Sequence, residues 1–259
     1  MLIIIDSYHR IRYHSFVNIF LIFIIYEINI QKRGIFMETI IDVALNMLRP
    51  HMTVSLGGGS NVTKLACRIA ETRNLPLTIC TPSELTELKC QELGLTVKTL
   101  SQIGKLDLAF DGCDSVDYQL NLLKSGGGIH TSEKIYAQTA VNYIILAPAA
   151  KVTPLLNHHI PLTLEVITAA IPQVLQFTTR LGLRAVQRSG GGIASWARTP
   201  DGNQLIDCYA ASWQNINELQ TQLSQFNGVV STSYFHQLAS AIITDLGDKT
   251  SLITKGELA

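Results

Sequence analysis

Apolar and polar positions along this chain alternate between two periods, and the alternation itself predicts the architecture. From Met37 onward, short apolar runs of strand length are separated by stretches with helical spacing. Thr39 to Leu48 has helical spacing and is stopped near Pro50. Met52–Leu56 reads as a strand, Val62 to Thr72 as a helix, Leu77–Cys80 as a strand, and Ser83 to Leu93 as a helix capped by Ser83. Thr96–Thr99 and Asp107–Phe110 read as further strands, Glu133 to Thr139 as a helix, and Tyr143–Ala147 as a buried strand. Strands alternating with helices predict a parallel α/β sheet whose functional loops lie at the strand C-termini.

The pattern changes after about Pro161. Leu162–Val166 reads as a strand, Ala170 to Leu181 as a helix, and Arg184–Arg188 as extended chain broken by Ser189–Gly192. Ser195–Arg198, the turn Pro200–Asn203 and Gln204–Tyr209 read as a hairpin. A helix over Asn215 to Gln225 and a strand at Val229–Thr232 complete a β-α-β-β-α-β order, which fits a ferredoxin-like α+β subdomain. Ala241–Thr244 is expected as the last strand, returning to the first sheet. The expected division is 37–160 plus 236–259 for a Rossmann-like unit and 161–235 for the ferredoxin-like one.

Residues 1–36 break this pattern. Phe16 to Ile30 is strongly apolar and is flanked by Arg10, Arg12, Lys32 and Arg33. A membrane anchor would want about 20 apolar residues, and this run is shorter and carries Asn18, Glu27 and Asn29. A signal peptide would want small residues at a cleavage site, and residues 31–36 offer none. The favoured expectation is that translation begins at Met37.

Composition narrows the functional classes. Hydrophobic residues make up 47% of the 259 and charged residues 15%, enough apolar matter for a substantial core. Lys plus Arg is 20 and Asp plus Glu is 20, so net charge gives no general attraction to nucleic acid or anionic lipid. The cysteines are Cys67, Cys80, Cys90, Cys113 and Cys208, an odd number with no CxxC spacing. That supports neither a disulfide framework nor a zinc site.

Four segments carry candidate chemistry. Gly57-Gly-Gly-Ser-Asn61 lies between a strand and a helix N-terminus, where backbone N–H groups can approach an anion. It lacks the Gly-Lys-Ser/Thr of a Walker loop and the last glycine of a Rossmann fingerprint, and read alone it is equally a tight βα turn. Asp111-Gly-Cys-Asp114 places two carboxylates on a loop directly after a strand; alone it is ordinary turn chemistry. Lys124-Ser-Gly-Gly-Gly-Ile-His-Thr-Ser-Glu133-Lys134 combines a cation, three glycines and a glutamate at a helix start. The glycine loop can bring Lys124 and Glu133 to two sides of one small ligand. Alternatively, Glu133 complements the helix dipole and Lys124 is a solvated lysine; His130 reads as a polar neighbour rather than a catalyst. Lys151 follows a buried strand and is either a loop lysine or a point charge for phosphate.

Taken in order, these segments resemble the ribose-5-phosphate isomerase A family. Asp111–Asp114 looks like its Asp-Gly-Ala-Asp-Glu segment, and Lys124–Gly128 with Glu133-Lys134 looks like its Lys-Gly-Gly-Gly and Arg-Glu-Lys segments. Gly57–Asn61 is similar to its Gly-Thr-Gly-Ser-Thr phosphate loop, and Lys151 falls on the lysine of its Asp-x-Ser-Lys segment. Pro161–Val166, Asp201–Asn203 and Phe226–Val230 also match, so the resemblance spans roughly Met37 to Thr244. It implies Glu133 as the base moving a proton between C1 and C2, Lys124 as support for the enediolate, and Asp111 and Asp114 as residues for the sugar hydroxyls and ring opening. Substrate would be held by Gly58, Gly59, Ser60, Asn61, Gly112, Cys113, Ser125, Gly126, Gly127 and Lys151. It further implies a cytoplasmic enzyme of the pentose phosphate pathway, without cofactor or metal, acting on a small sugar phosphate as a homodimer or higher homo-oligomer. Binding of nucleic acid or membrane is not expected.

The sequence departs from that pattern in the phosphate grip. The two threonines of the phosphate loop are Gly58 and Asn61, Asp-Glu becomes Asp114-Ser115, and the acid before the lysine segment becomes Pro148. The family's N-terminal lysine has no counterpart. A paralogue acting on a related sugar phosphate, a non-catalytic sugar-phosphate sensor, and a relative of the acyl-CoA transferases or glucosamine-6-phosphate deaminases are the rival readings. Keeping Glu133 together with Lys124 argues against the sensor, since binding alone needs no base.

Overall fold

The computed structural model describes residues 38–192, 194–246 and 249–257, so the expectation for residues 1–36 lies outside the described residues. The first sheet has six strands in the order β2-β1-β3-β6-β13-β14: β1 Thr53–Leu56, β2 Thr78–Cys80, β3 Leu106–Asp111, β6 Ala140–Leu146, β13 Ala241–Leu246 and β14 Lys249–Thr254. All neighbours are parallel except β13 with β14. Helices α1 (Ile40–Asn46), α2 (Ser60–Glu71), α3 (Glu84–Glu92) and α4 (Leu100–Ile103) precede or connect the early strands. Thr39 caps α1 in a reciprocal pair with Asp42, and the Ser83 hydroxyl caps α3 by accepting from the Thr86 N–H. Val54, Leu56, Leu108 and Phe110 are fully buried together with Val62 and Leu65 of α2. Such near-continuous apolar strands are what a sheet with covered faces requires.

The chain enters this sheet at β1, moves outward to β2, then crosses back to add β3 on the other side of β1. That reversal opens a crevice at the C-terminal ends of β1 and β3, the usual place for a ligand in an open α/β sheet. The register pairs Leu56 with Phe110, so the next residues, Gly57 and Asp111, emerge side by side.

The second sheet is antiparallel, in the order β11-β8-β10-β9, from β8 Leu162–Val166, β9 Arg184–Gln187, β10 Gln204–Tyr209 and β11 Val229–Thr232. With α6 (Ile171–Arg180) after β8 and α7 (Ile216–Ser224) after β10, this is the expected β-α-β-β-α-β arrangement, with its own core of Leu162, Leu164, Val174, Ile206 and Leu223. A third, small sheet of β12 (Tyr234–Phe235), β5 (Leu122–Leu123), β4 (Ser115–Asp117) and β7 (Val152–Thr153) lies next to the site loops in sequence. Helix α5, His130–Thr139, runs into β6.

Three expectations need correction. Thr96–Thr99 is not a strand: Val97 makes one isolated bridge to Ile79, and Thr99 caps the short α4. Ser195–Arg198 does not pair as a hairpin strand. The partner of β10 is β9, and the segment 195–198 forms only isolated bridges among the described residues, Trp196 with Ser189 and Arg198 with Gln204 at the start of β10. Gly191 and Gly192 have positive φ there, which lets the chain turn instead of extending. Ala241–Thr244 does return to the first sheet, but β14 follows it as a further edge strand.

Candidate active site

Lys124 is the hub. Its ammonium is 2.9 Å from Asp111 Oδ1 and 3.1 Å from Glu133 Oε1, and it donates to the Gly112 carbonyl at 2.6 Å. All three side chains are buried, Lys124 at 6%, Asp111 at 2% and Glu133 at 5% exposure. Two carboxyl groups therefore share one cation in a low-dielectric setting, and a second negative charge there has no cation of its own. Burial pushes the Glu133 carboxyl well above the ordinary carboxylate range; Lys124 pulls it back and Asp111 raises it further. Burial pulls the Lys124 ammonium down, but Asp111 and Glu133 together outweigh it and hold the group above the ordinary lysine value.

Each member of this trio is set by its own segment. Asp111 ends β3, and its carboxylate also accepts from the Gly58 N–H at 3.1 Å, the Gly112 N–H at 2.8 Å and the Tyr143 hydroxyl at 3.0 Å. A Cβ on Gly57 would meet Asp111 Cγ at 2.3 Å, so the glycine is what lets the carboxylate lie against the β1 turn. Thr86 of α3, itself buried, donates to the Gly57 carbonyl at 2.7 Å and fixes the same turn from the other side. Glu133 stands in the first turn of α5, which begins at His130, three residues before the expected start. Gly128, with φ +68, turns the chain into that helix, and a Cβ there would meet Leu205 Cδ1 at 2.7 Å.

Lys124 and Glu133 border a cavity of about 770 Å3. Of the residues singled out from the sequence, Gly58, Gly59, Ser60, Asn61, Gly112, Cys113, Asp114, Lys124, Gly126, Gly127, Glu133 and Lys151 line it. Helix α2 opens on Gly59 without a side-chain cap, and its first turn, Ser60 to Val62, lines the cavity, a setting in which backbone N–H groups favour an anion. Lys151 donates to the Cys113 carbonyl at 2.6 Å, which ties it to the same rim. Burial raises the Cys113 thiol to about 12, against the pull of Lys124 and Lys151, so this cysteine is a poor nucleophile.

Two of the expected substrate contacts are tied to protein groups. Asp111 is bound by four donors, the ammonium of Lys124, the N–H groups of Gly58 and Gly112 and the Tyr143 hydroxyl, and it lies behind Lys124 at the cavity. Ser125 is buried, its hydroxyl donates to the Pro161 carbonyl at 2.5 Å and lies 2.9 Å from Ser233 Oγ, so it joins the loop to the second sheet. Asp114 lines the cavity, while its Oδ2 accepts from the N–H groups of Ser125 at 2.6 Å and Gly126 at 2.8 Å.

Sequence reasoning missed Tyr143, Thr86, Arg188 and Pro200. Tyr143 reads as one more apolar residue in a buried strand. Arg188 donates to the carbonyls of Ser125 at 2.8 Å and Gly126 at 3.3 Å, so the loop held by Asp114 through its N–H groups is held by Arg188 through its carbonyls. Pro200 reaches the cavity wall from loop 188–203. His130 is fully buried; burial lowers it to about 3, and it stays neutral beside the site rather than exchanging protons. Among the described residues no group of three or more His, Cys, Asp or Glu side chains could hold a metal ion, and no helix is long and apolar enough to cross a membrane.

Comparison with known proteins bears directly on this arrangement. A family model described as ribose 5-phosphate isomerase A (phosphoriboisomerase A) matches residues 78–249. The chain belongs to the ribose 5-phosphate isomerase A family. It is 32% identical over 204 residues to the ribose-5-phosphate isomerase A of Roseiflexus sp. (strain RS-1), covering 77% of this chain and 87% of that protein. It is 31% identical over 192 residues to the ribose-5-phosphate isomerase of Debaryomyces hansenii, covering 72% and 76% respectively. The solved ribose 5-phosphate isomerase A of Methanocaldococcus jannaschii superposes with a TM-score of 0.77 at 26% identity, over 83% of this chain and 96% of that one. A D-ribose-5-phosphate isomerase solved in complex with phospho-erythronic acid gives 0.79 at 25% identity, with the same coverages.

Proposed function

We propose that this chain interconverts D-ribose 5-phosphate and D-ribulose 5-phosphate through an enediolate. The observation that carries the reading is the buried Lys124–Glu133 pair at 3.1 Å on the wall of a cavity that also holds an uncapped helix N-terminus. Glu133 removes the proton from C2 of the open-chain aldose and returns it to C1, while the hydroxyl proton passes from O2 to O1. Negative charge that develops on the sugar oxygen faces Lys124, in a site where water screening is weak. Glu133 must be ionised to act, and its raised affinity for protons makes it a stronger base than a solvated carboxylate.

The backbone of Gly58–Asn61 and the Lys151 ammonium hold the phosphate at the far end. Asp114, with Oδ2 committed to its loop, offers the rest of its carboxylate to a sugar hydroxyl. The residues 37–160 with 236–259 form the catalytic unit, 161–235 braces it, and the enzyme works in the cytoplasm as a homodimer or higher homo-oligomer. The phospho-erythronic acid complex of a relative supports a sugar-phosphate substrate. Purified protein incubated with D-ribose 5-phosphate should form ketose far above the uncatalysed rate. Binding without turnover would replace this reading with a sugar-phosphate sensor.

A further inference from the structure

Glu165, in β8, is only 1% exposed, yet among the described residues no cation pairs with it. Its Oε2 accepts from the Thr131 hydroxyl, and its Oε1 accepts from Thr199 Oγ1 at 2.9 Å and from Asn203 Nδ2 at 2.8 Å. An unpaired buried carboxylate is costly, and a strand interior has no need of one for its own stability. The three donors come from two separate elements. Thr131 lies in the first turn of α5, two residues before Glu133. Thr199 and Asn203 belong to loop 188–203, and Thr199 is the buried residue beside Pro200, which lines the cavity. One oxygen thus holds the helix that carries Glu133 and the other holds the loop that brings Pro200 to the cavity.

Other contacts of the α5 start run to the same sheet. His130 Nε2 lies 3.4 Å from the Ser231 carbonyl, and Lys134 donates to the Thr232 carbonyl at 2.7 Å. Ser231 pairs with Glu165 across β11 and β8, so these anchors meet α5 on one stretch of sheet. Residues 131 and 133 project to different sides of the helix, at about 100° per residue. A hydroxyl held at Thr131 therefore sets the rotation at which Glu133 meets Lys124.

We propose that Glu165 is a positioning residue that sets the distance between the proton-transferring carboxylate and the Pro200 wall of the substrate cavity. The proposal rests on the isomerase reading, but its structural part does not. Because the partners are neutral, the arrangement needs a hydrogen-bonding atom toward each arm and not the charge. Glu165→Gln keeps one carbonyl oxygen for Thr199 and Asn203, and its amide can donate to a rotated Thr131 hydroxyl. Glu165→Ala removes both.

The two arms separate in single variants that leave Glu165 in place. Thr131→Val should lower kcat about 10-fold with KM within about two-fold, since a misplacement of a fraction of an ångström acts on chemistry. Thr199→Val should raise KM several-fold with kcat within about two-fold, since the wall touches substrate in ground and transition state alike. Glu165→Gln should keep kcat and KM within about three-fold of the parent, whereas Glu165→Ala should show both defects. Hydrogen–deuterium exchange of the same proteins gives a readout free of activity. In Glu165→Ala, backbone exchange should speed up in 129–134 and 198–203 together, and in Thr131→Val in 129–134 alone. Unchanged exchange in both segments, or exchange that rises evenly throughout the chain, would overturn the proposal. So would Thr131→Val and Thr199→Val variants that lose melting temperature while kcat and KM stay put. Absence of turnover in the parent protein, with the exchange pattern as expected, would instead strike the isomerase reading and leave the brace standing.

Discussion

Gly57→Ala tests whether the β1 turn holds the catalytic trio together. The added methyl would lie 2.3 Å from both Asp111 Cγ and Oδ1, and 2.7 Å from Oδ2. Ordinary contact between such atoms begins at about 3.5 Å, so the carboxylate or the turn must yield by roughly an ångström. Asp111 cannot yield alone, because Lys124, Tyr143 and the N–H groups of Gly58 and Gly112 all bind it. Lys124 therefore moves too, and with it the partner of Glu133. A displacement of about 1 Å in a catalytic group can cost about 100-fold in rate, and overpacking a tight site costs about 1–3 kcal/mol of stability. The variant should lose about two orders of magnitude in kcat/KM, with a measurable fall in melting temperature. Gly58→Ala is the control: its Cβ would meet Glu133 Oε1 at 3.6 Å, an ordinary contact. Steady-state isomerisation and thermal unfolding should be measured on both. Gly57→Ala with kcat/KM within three-fold of the parent would refute the argument that the glycine is there for Asp111.

The pH dependence of kcat/KM reports the base in the free enzyme. Burial raises Glu133, so the rate should fall on acidification through a pH well above the ~4.3 of a free glutamate; an acid limb at or below that value would mean the carboxylate is not desolvated. Tyr143→Phe removes one of four donors to Asp111. A hydrogen bond to a charged group is worth about 1.5–3 kcal/mol, so the melting temperature should drop by several degrees, and an unchanged unfolding curve would show that the hydroxyl contributes nothing.

The parts of the site that were legible in the sequence are those where chemistry and backbone demand coincide. Three glycines before a helix, a lysine ahead of them and a glutamate in the helix make sense together only if the loop closes, and Lys124 and Glu133 do meet. The α/β alternation was legible because the parallel strands are short apolar runs and helices such as Ser60–Glu71 bury one face, Val62, Leu65, Ala66 and Ile69. Thr96–Thr99 was misread because local β propensity does not supply a neighbouring strand, and only one bridge forms there. Ser195–Arg198 was misread because turn chemistry at Pro200–Asn203 says nothing about which earlier segment β10 pairs with. The two- and three-residue strands of the small sheet are too short to have a period. Tyr143 and Glu165 were hidden for a common reason. Each occupies a regular strand position, and its significance comes from a partner 32 or 34 residues away in the chain.

The central claim is that Glu133 moves the proton. Glu133→Gln keeps the size of the side chain and removes the base, while Lys124 keeps its Asp111 partner and the Gly112 carbonyl. General acid–base catalysis typically contributes about 10²–10⁴-fold, so kcat for ribose 5-phosphate should fall by at least about 100-fold. Binding of a sugar-phosphate analogue, measured by calorimetry on the same preparation, should change far less, because Gly58–Asn61 and Lys151 are untouched. A Glu133→Gln protein that isomerises ribose 5-phosphate at the parental rate would contradict the account.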